Sequence, residues 1–297
     1  MDGITVLDLE HLGRPEVIAS FLVPCPEGGF VLLESGPGST LGTLERGVEA
    51  AGFSLGDLRA VFVTHVHLDH AGAAGELSRR TGAFVAVHPA GARHMADPSR
   101  LLASAGRIYG DLMDMLWGTM VPVPAERLRT VGDGELVEVG GLRVQALHTP
   151  GHARHHVAWK IGDDLATGDV GGIRLPGWHH VVPPTPPPDI DIPTWLKSVR
   201  TLRSVQPRRL LLTHFGIFDD PEDHLHRLEE ALHAWLAEAT RVVTNGGDIA
   251  ALTAALDRLD RERLIALGAD EAAIDAYRRA CPMEMNGAGL YRALTHP

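Results

Sequence analysis

The sequence predicts a mixed α/β body, built from two packed β-sheets with helices on their outer faces, followed by a helical region. Three observations support this prediction. Runs rich in β-branched and aromatic residues alternate with helical patterns in two successive parts of the chain, which is typical of layered α/β proteins. The run "LRAVFVTH" at 58–65 has a nearly continuous apolar centre, as expected of a strand covered on both faces. From Pro221 onward, apolar residues recur at three- and four-residue steps, which indicates helices.

In the first part of the chain, predicted strands and helices follow in order. Strands are predicted at 4–9, 17–23, 30–35, 58–65 and 83–88, separated by turn compositions such as "GRP" and "PCPEGG". Helices are predicted over 41–52, behind the glycine turn "SGPGST", and over 71–82, where the pattern ends on a glycine. A helical segment that is apolar on one side then occupies about 90–120, and we interpret it as an insertion.

The β pattern returns between residues 127 and 169, in "ELVEVG", "LRVQALHT", "HHVAWKIG" and "DLATGD". The proline-dense stretch 175–193 cannot form a central strand, because proline has no backbone N–H, so a stiff loop is predicted there. A helix, "TWLKSVRTLRSV", and an apolar strand at 209–216 complete this part. We therefore predict an α/β domain over residues 1–220 and a C-terminal helical region over 221–297.

Composition excludes several classes of function. The formal net charge is −11, which argues against a broad nucleic-acid surface, because such surfaces depend on clustered Lys and Arg. No basic segment precedes an apolar stretch at the N-terminus and no apolar run has membrane-spanning length, so we expect a cytoplasmic protein without a membrane partner. Cys25 and Cys281 are expected to be buried thiols. The segment "MEMNGAGLYRAL" at 283–294 is a candidate contact surface for a homodimer.

Histidine is the anomaly of this composition, with 17 copies. Histidine and aspartate side chains stand at the ends of four predicted strands, and the seven are His65, His67, Asp69, His70, His152, Asp169 and His214. Strand ends in α/β proteins tend to meet at one edge of the sheet. Imidazole and carboxylate are the ligands that zinc and similar divalent metals prefer. Seven ligands exceed the needs of one ion, so two ions bridged by a carboxylate are predicted.

The motifs "THVHLDH", "TPGH", "TGD" and "LLTHFG" resemble, in order and spacing, those of the metallo-β-lactamase-fold hydrolases, and of their glyoxalase II (hydroxyacylglutathione hydrolase) branch in particular. The resemblance covers roughly residues 1–216. It implies an αββα four-layer sandwich, with two divalent metal ions at one edge, zinc by preference and iron or manganese as alternatives. It assigns the first metal to His65, His67 and His152, the second to Asp69, His70 and His214, and the bridge to Asp169. Glu34 stands where the family usually has an aspartate.

The predicted reaction is the hydrolysis of a small ester, thioester, lactone or phosphoester by a metal-bound hydroxide, with Asp69 as proton acceptor and donor. Asp169 and the missing signal peptide argue against class B β-lactamase activity. Two alternatives stay open. Persulfide dioxygenases share this fold and use a single iron on two histidines and one aspartate. A non-catalytic binding or dimerisation protein is the other alternative.

Four residues are candidates for binding a small-molecule substrate. Arg174, five residues past Asp169, is within reach of an anionic substrate group, although it also fits a surface arginine. His179 belongs to the proline-rich loop, which either lines the mouth of a cleft or is solvated. Tyr109 and Trp117 belong to the apolar segment at 90–120, which either forms a lid over an acyl or aromatic group or packs as core.

Overall fold

A computed structural model describes residues 3–296, and within that range twelve strands form two six-stranded sheets. The first sheet has the spatial order β1 to β6: Thr5–Asp8 (β1), Ala19–Pro24 (β2), Phe30–Leu33 (β3), Leu58–Phe62 (β4), Phe84–Val87 (β5) and Leu128–Thr130 (β6). The second has the order β12 to β7: Leu136–Val139 (β7), Leu142–His148 (β8), Val157–Ile161 (β9), Asp164–Ala166 (β10), Arg209–Leu212 (β11) and Gly216–Phe218 (β12). Strands β3 to β6 run parallel, as do β10 and β11, and the other neighbours are antiparallel.

The helices follow the strands in three sets along the chain. Three accompany the first sheet: Leu41–Ala50 (α1), Leu68–Ala71 (α2) and Ala74–Thr81 (α3). Three lie in the segment predicted as an insertion: Pro89–Ala96 (α4), Ser99–Tyr109 (α5) and Met113–Trp117 (α6). The last five are Ile192–Ser204 (α7), Pro221–Thr244 (α8), Ile249–Ala266 (α9), Glu271–Ala280 (α10) and Met283–Thr295 (α11). Aspartates at the N-caps of α7, α9 and α10 accept backbone N–H groups of the first turn, which is why these helices begin where they do.

Three apolar cores separate four layers. Between the two sheets, Phe21 and Phe62 from the first meet Trp159 and Leu211 from the second, and all are buried. The outer face of the first sheet packs against α1 and α3, and the outer face of the second packs against α7 and α8. Two sheets enclosed by helices on both sides confirm the predicted αββα fold class with its C-terminal helical extension.

The C-terminal helices belong to the core of the second sheet. Leu228 and Trp235 of α8, Leu256 of α9 and Leu290 of α11 are buried in the same cluster as Leu210 of β11. The division into domains at residue 220 stays a prediction. No helix within residues 3–296 is long and apolar enough to cross a membrane.

The structure differs from the prediction where the chain approaches the predicted metal ligands. The strand predicted at 58–65 ends at Phe62, and a helix begins at Leu68, three residues before the predicted start at 71. Asp69 and His70 therefore lie on the short helix α2 rather than on a loop. Strand β6 lies in the region of β pattern but outside the runs predicted there, and β12 begins at Gly216, where the predicted strand 209–216 ends.

Candidate metal centre

The segments that follow β4, β8, β10 and β11 bring all seven predicted ligands together. Their nitrogen and oxygen atoms form two groups, and within each group these atoms lie within 4.8 Å of one another. The first ligand group consists of His65, His67, His152 and Asp169, and the second ligand group of Asp69, His70 and His214. Four separate segments of the chain therefore converge on one place, as the sequence predicts.

In the first ligand group, three imidazole nitrogens and one carboxylate oxygen face one another. His67 Nδ1 lies 2.9 Å from His65 Nε2 and 3.1 Å from His152 Nε2. His152 Nε2 lies 3.2 Å from Asp169 Oδ2. Three histidines and a carboxylate form the kind of donor set that zinc accepts.

In the second ligand group, the other oxygen of Asp169 takes part. Asp169 Oδ1 lies 3.1 Å from His70 Nε2 and 3.4 Å from His214 Nε2. Asp69 Oδ2 lies 3.6 Å from both of these nitrogens. One carboxylate therefore points an oxygen at each group, which is the arrangement expected of a residue that bridges two cations.

Two buried atoms support the fit of a cation at this place. His70 Nε2 and Asp169 Oδ1 are buried, and among the described residues neither has a partner with hydrogen-bond geometry, despite their short separation. Buried polar atoms are normally satisfied by a hydrogen bond or by a metal. The donor set and these two atoms together fit a pair of divalent cations.

The outer nitrogen of four ligand histidines is held by a protein oxygen. His152 Nδ1–H donates to the Pro184 carbonyl over 2.9 Å, and His214 Nδ1–H donates to the Val17 carbonyl over 2.7 Å. The remaining two pairs join Nδ1 of His65 to Thr64 Oγ1 (3.0 Å) and Nδ1 of His70 to Glu34 Oε1 (3.1 Å). Such contacts fix the ring and leave Nε2 directed at the metal position.

Glu34, the departure from the family pattern, is part of this outer set. It is 1% exposed, and its backbone has a left-handed φ of 67°. Its carboxylate accepts the Thr64 backbone N–H over 3.1 Å and the Thr64 hydroxyl over 2.5 Å, in addition to His70. The longer side chain thus orients both the turn that carries the ligands and one ligand itself.

Electrostatics differ between the two groups. Burial lowers the pKa of His65 well below its usual range and that of His67 to about 3, so both are neutral and able to bind a metal at neutral pH. Burial also opposes protonation of His214, but the carboxylates of Asp169 and Asp69 outweigh it and raise the pKa to about 9. A bound cation would take the place of that proton.

A cavity of about 400 Å³ lies above the two ligand groups. Asp69 and His214 form part of its floor, and Tyr109 and Trp117 form part of its wall. The rings of these two aromatic residues meet edge to face, with centroids 5.2 Å apart. The predicted substrate candidates Tyr109 and Trp117 therefore lie beside the metal centre, where a bound molecule would contact them.

The other two predicted substrate contacts are corrected by the structure. The Arg174 guanidinium donates to Asp220 over 2.7 Å, lies 4.4 Å over the Phe218 ring and is 5% exposed, so it is committed to internal contacts. His179 points outward toward Asp223, with 3.3 Å between His179 Nδ1 and a carboxylate oxygen. Neither residue lines the cavity.

Arg14 and Arg279 line the cavity instead, and sequence reasoning missed both. Arg14 follows a turn near the N-terminus, and Arg279 lies near the end of α10, so no motif places them near the metal ligands. Among the residues that the structure describes, neither arginine has a carboxylate partner. Both are exposed, and they carry the positive charge that Arg174 was expected to supply.

Comparisons with known proteins place this site in a family context. A model of the metallo-beta-lactamase superfamily matches residues 13–214, which include all seven ligands. The metallo-beta-lactamase fold-containing protein ST1585 of Sulfurisphaera tokodaii is 30% identical over 217 residues, 71% of this chain and 78% of that protein. A hydroxyacylglutathione hydrolase of Bradyrhizobium sp. is 30% identical over 146 residues, 46% of this chain and 44% of that enzyme. The crystal structure of the metallo-beta-lactamase family protein TTHA1429 of Thermus thermophilus covers 99% of this chain and 92% of its own, with a TM-score of 0.70 at 20% identity.

Proposed function

The chain belongs to the metallo-beta-lactamase superfamily, and from this premise we propose that it is a dinuclear metallohydrolase acting on a small ester, thioester, lactone or phosphoester. The observation that carries the proposal is the Asp169 carboxylate, whose two oxygens face two separate ligand groups. The second group offers two imidazoles and a carboxylate for a second ion, which favours two ions over one. Relatives named metallo-hydrolase and hydroxyacylglutathione hydrolase support the hydrolytic reading.

Two divalent cations held by these groups would supply a hydroxide at neutral pH and polarise the bond to be cleaved. Zinc is our proposal for both positions, because neutral imidazoles dominate the first group, and iron and manganese are the alternatives. The two ligand groups would hold the cations, and one of their members, Asp69, would also carry the proton.

Asp69 is the proposed proton acceptor and donor. Its side chain is 23% exposed, against 6% for Asp169 and 8% for His214, and it lines the cavity. A carboxylate on the cavity floor would be placed to accept a proton from a bound molecule and to return it. Burial raises the pKa of Asp69, but the neighbouring His70 and His214 imidazoles outweigh it and hold the pKa below its usual range, so the carboxylate is ionised at neutral pH.

The cavity indicates the class of substrate. Leu101, Tyr109 and Trp117 offer an apolar wall, while Arg14 and Arg279 offer positive charge on the same cavity. We propose a substrate with an apolar acyl or aromatic part and an anionic group. A thioester or ester with these two features fits both surfaces.

The proposal is tested by metal analysis and mutation. Purified protein should hold two equivalents of metal, and it should turn over members of a panel of thioesters, lactones and phosphodiesters. We expect Asp69→Ala and His67→Ala to abolish turnover and to lower the metal content, because each removes a ligand. Arg93→Ala, on the exposed part of α4, serves as a control with full activity.

Two outcomes would contradict the proposal. Full activity and full metal content in both ligand variants would show that the assigned residues do not form the centre. One equivalent of iron, with oxygen consumption on a glutathione persulfide and no hydrolysis, would identify the dioxygenase alternative.

A further inference from the structure

A segment of the long loop before α7 consists almost entirely of proline. Residues 183–188 read Pro-Pro-Thr-Pro-Pro-Pro, so Thr185 supplies the only backbone N–H of the segment. That N–H donates to Asn286 Oδ1 over 2.7 Å, and the Thr185 hydroxyl lies 3.3 Å from the same oxygen. Thr185 is 0% and Asn286 2% exposed. The one backbone donor of this segment is therefore committed to helix α11.

The same segment holds one of the metal ligands. The Pro184 carbonyl accepts the hydrogen bond of His152 Nδ1–H. Because a carbonyl oxygen can only accept, Nδ1 carries the proton and Nε2 keeps its lone pair for the first ligand group. The orientation of the His152 ring thus depends on the position of the Pro184 carbonyl, and Pro184 is bonded directly to Thr185.

Helix α11 is fitted closely to this segment. A Cβ atom added at Gly289 would overlap the Thr185 carbonyl oxygen, so the helix backbone approaches the loop directly. On the same helix, Asn286 Nδ2 donates to Cys281 Sγ over 3.1 Å, which turns Oδ1 toward Thr185. A Cβ atom at Gly287 would overlap Thr253 of α9 instead, on a side of α11 away from the loop.

We propose that Asn286 is a positioning residue for His152, acting through Thr185 and the Pro184 carbonyl. The inference rests on the proposed function, because it takes His152 as a metal ligand. Without Asn286 Oδ1, the Thr185 N–H is buried with no acceptor, and the flanking prolines offer no other donor to anchor the segment. The loop then relaxes, and His152 loses the outer partner that fixes its ring.

The test compares Asn286→Ala with Asn286→Asp in the full-length chain. Zinc affinity is measured on metal-free protein by competition with a chelator, and hydrogen exchange is followed at the Thr185 amide. Loss of an outer partner typically weakens metal binding about 10- to 100-fold, and we expect that loss for one of the two zinc ions in Asn286→Ala. The aspartate keeps an oxygen acceptor for the Thr185 N–H but loses the donor to Cys281, so Asn286→Asp should recover the slow exchange and part of the affinity.

Two glycines of α11 provide a matched pair of controls. Gly289→Ala pushes the helix against the loop, and we expect it to weaken zinc binding as Asn286→Ala does. Gly287→Ala pushes against α9, and we expect it to lower the melting temperature while zinc affinity stays within twofold of wild type. Equal loss of zinc affinity in both glycine variants would attribute the effect to general destabilisation and overturn the inference.

A further outcome overturns the inference alone. If Asn286→Ala exchanges its Thr185 amide rapidly but binds two zinc ions as tightly as wild type, then Asn286 does not position His152. If wild-type protein itself fails to bind two zinc ions, the proposed function fails, and the two failures are thereby distinguished.

Discussion

His224 is a buried titratable residue of α8 that takes no part in the metal centre. It is 0% exposed, and its Nε2–H donates to the Gly171 carbonyl over 2.7 Å. Burial, and to a smaller extent Arg174, lowers its pKa to about 4, although the Gly171 carbonyl and the nearby carboxylates of Asp220 and Asp223 act in the opposite direction. The folded protein therefore keeps this imidazole neutral at pH values where an unfolded chain would protonate it.

The sign of the pH dependence follows from this difference. An unfolded histidine has a pKa of about 6.5, whereas folded His224 has a pKa of about 4. Between these two pH values, the unfolded state binds a proton and the folded state does not. The contribution of His224 to stability is thus complete above pH 6.5 and decreases as the pH falls to 4. Over that range it amounts to about 3 kcal/mol.

We expect His224→Gln, which keeps a donor for Gly171, to reduce the acid destabilisation between pH 6.5 and pH 4. The measurement is the free energy of unfolding by urea at several pH values, compared with wild type. His226→Gln, on the exposed side of the same helix, is the control and should keep the wild-type slope. A variant at His224 with an unchanged slope would contradict the prediction.

At the residue scale, the sequence predicted the convergence of the candidate ligands and the place of Tyr109 and Trp117, but it misplaced Arg174 and His179. The spacing in "THVHLDH" forces three imidazoles and a carboxylate into adjacent positions, so their convergence needs no knowledge of the tertiary fold. Arg174 stands close to Asp169 in sequence, but its ion pair with Asp220 depends on a contact 46 residues away. Long-range pairings of this kind leave no local pattern.

The segment of α5 and α6 lines the cavity beside the candidate metal centre. Trp117 lines the cavity and stacks on His11, with ring centroids 5.5 Å apart. In the same segment Leu112 is 51% exposed and does not line the cavity. The element therefore has one face toward the metal centre and another toward solvent.

We expect Trp117→Ala to raise KM for substrates with a large apolar acyl group, by about tenfold if 1–2 kcal/mol of apolar contact is lost. Substrates with an acetyl group should be affected much less, because they do not reach the wall. Leu112→Ala is the matched control, and steady-state kinetics on the two substrate lengths make the comparison. Equal effects on short and long acyl groups would contradict a role in acyl binding.

At the scale of the element, a long helix could be predicted from its sequence and a very short one could not. Helix α8 extends over 24 residues and its apolar period is clear, so its start at Pro221 coincides with the start of the helical pattern in the sequence. The four residues of α2 contain no full period, and the turn that starts the helix at Leu68 is set by its packing against the first sheet. Short elements depend on their neighbours, which a single sequence does not reveal.

For the molecule as a whole, the second sheet depends on the C-terminal helices. Its outer face shares one buried cluster with Trp235, Leu256 and Leu290. We expect a chain truncated after residue 220 to expose this face, to aggregate on expression and to lack a cooperative thermal transition. A soluble fragment 1–220 with cooperative unfolding, monitored by circular dichroism against the full chain, would show that the helices form an independent unit.

The layered fold was predictable because its periodic patterns are local, whereas the path of the C-terminal helices was not. Residues near Arg279 and Asn286 line the cavity only because α10 and α11 fold back over the proline-rich loop. The sequence of α10 and α11 predicts helices, but it does not indicate which part of the molecule they pack against. The contribution of this region to the site became visible only in three dimensions.

The chelating atoms are distributed unevenly along the polypeptide: the cluster from His65 to His70 comes from the strand-helix units of one sheet, and His152, Asp169 and His214 come from the other. Neither half of the molecule can complete a coordination sphere by itself. Two cations bound there would therefore join residues of the first sheet to residues of the second. Demetallation should loosen the docking of the two halves long before it melts either one.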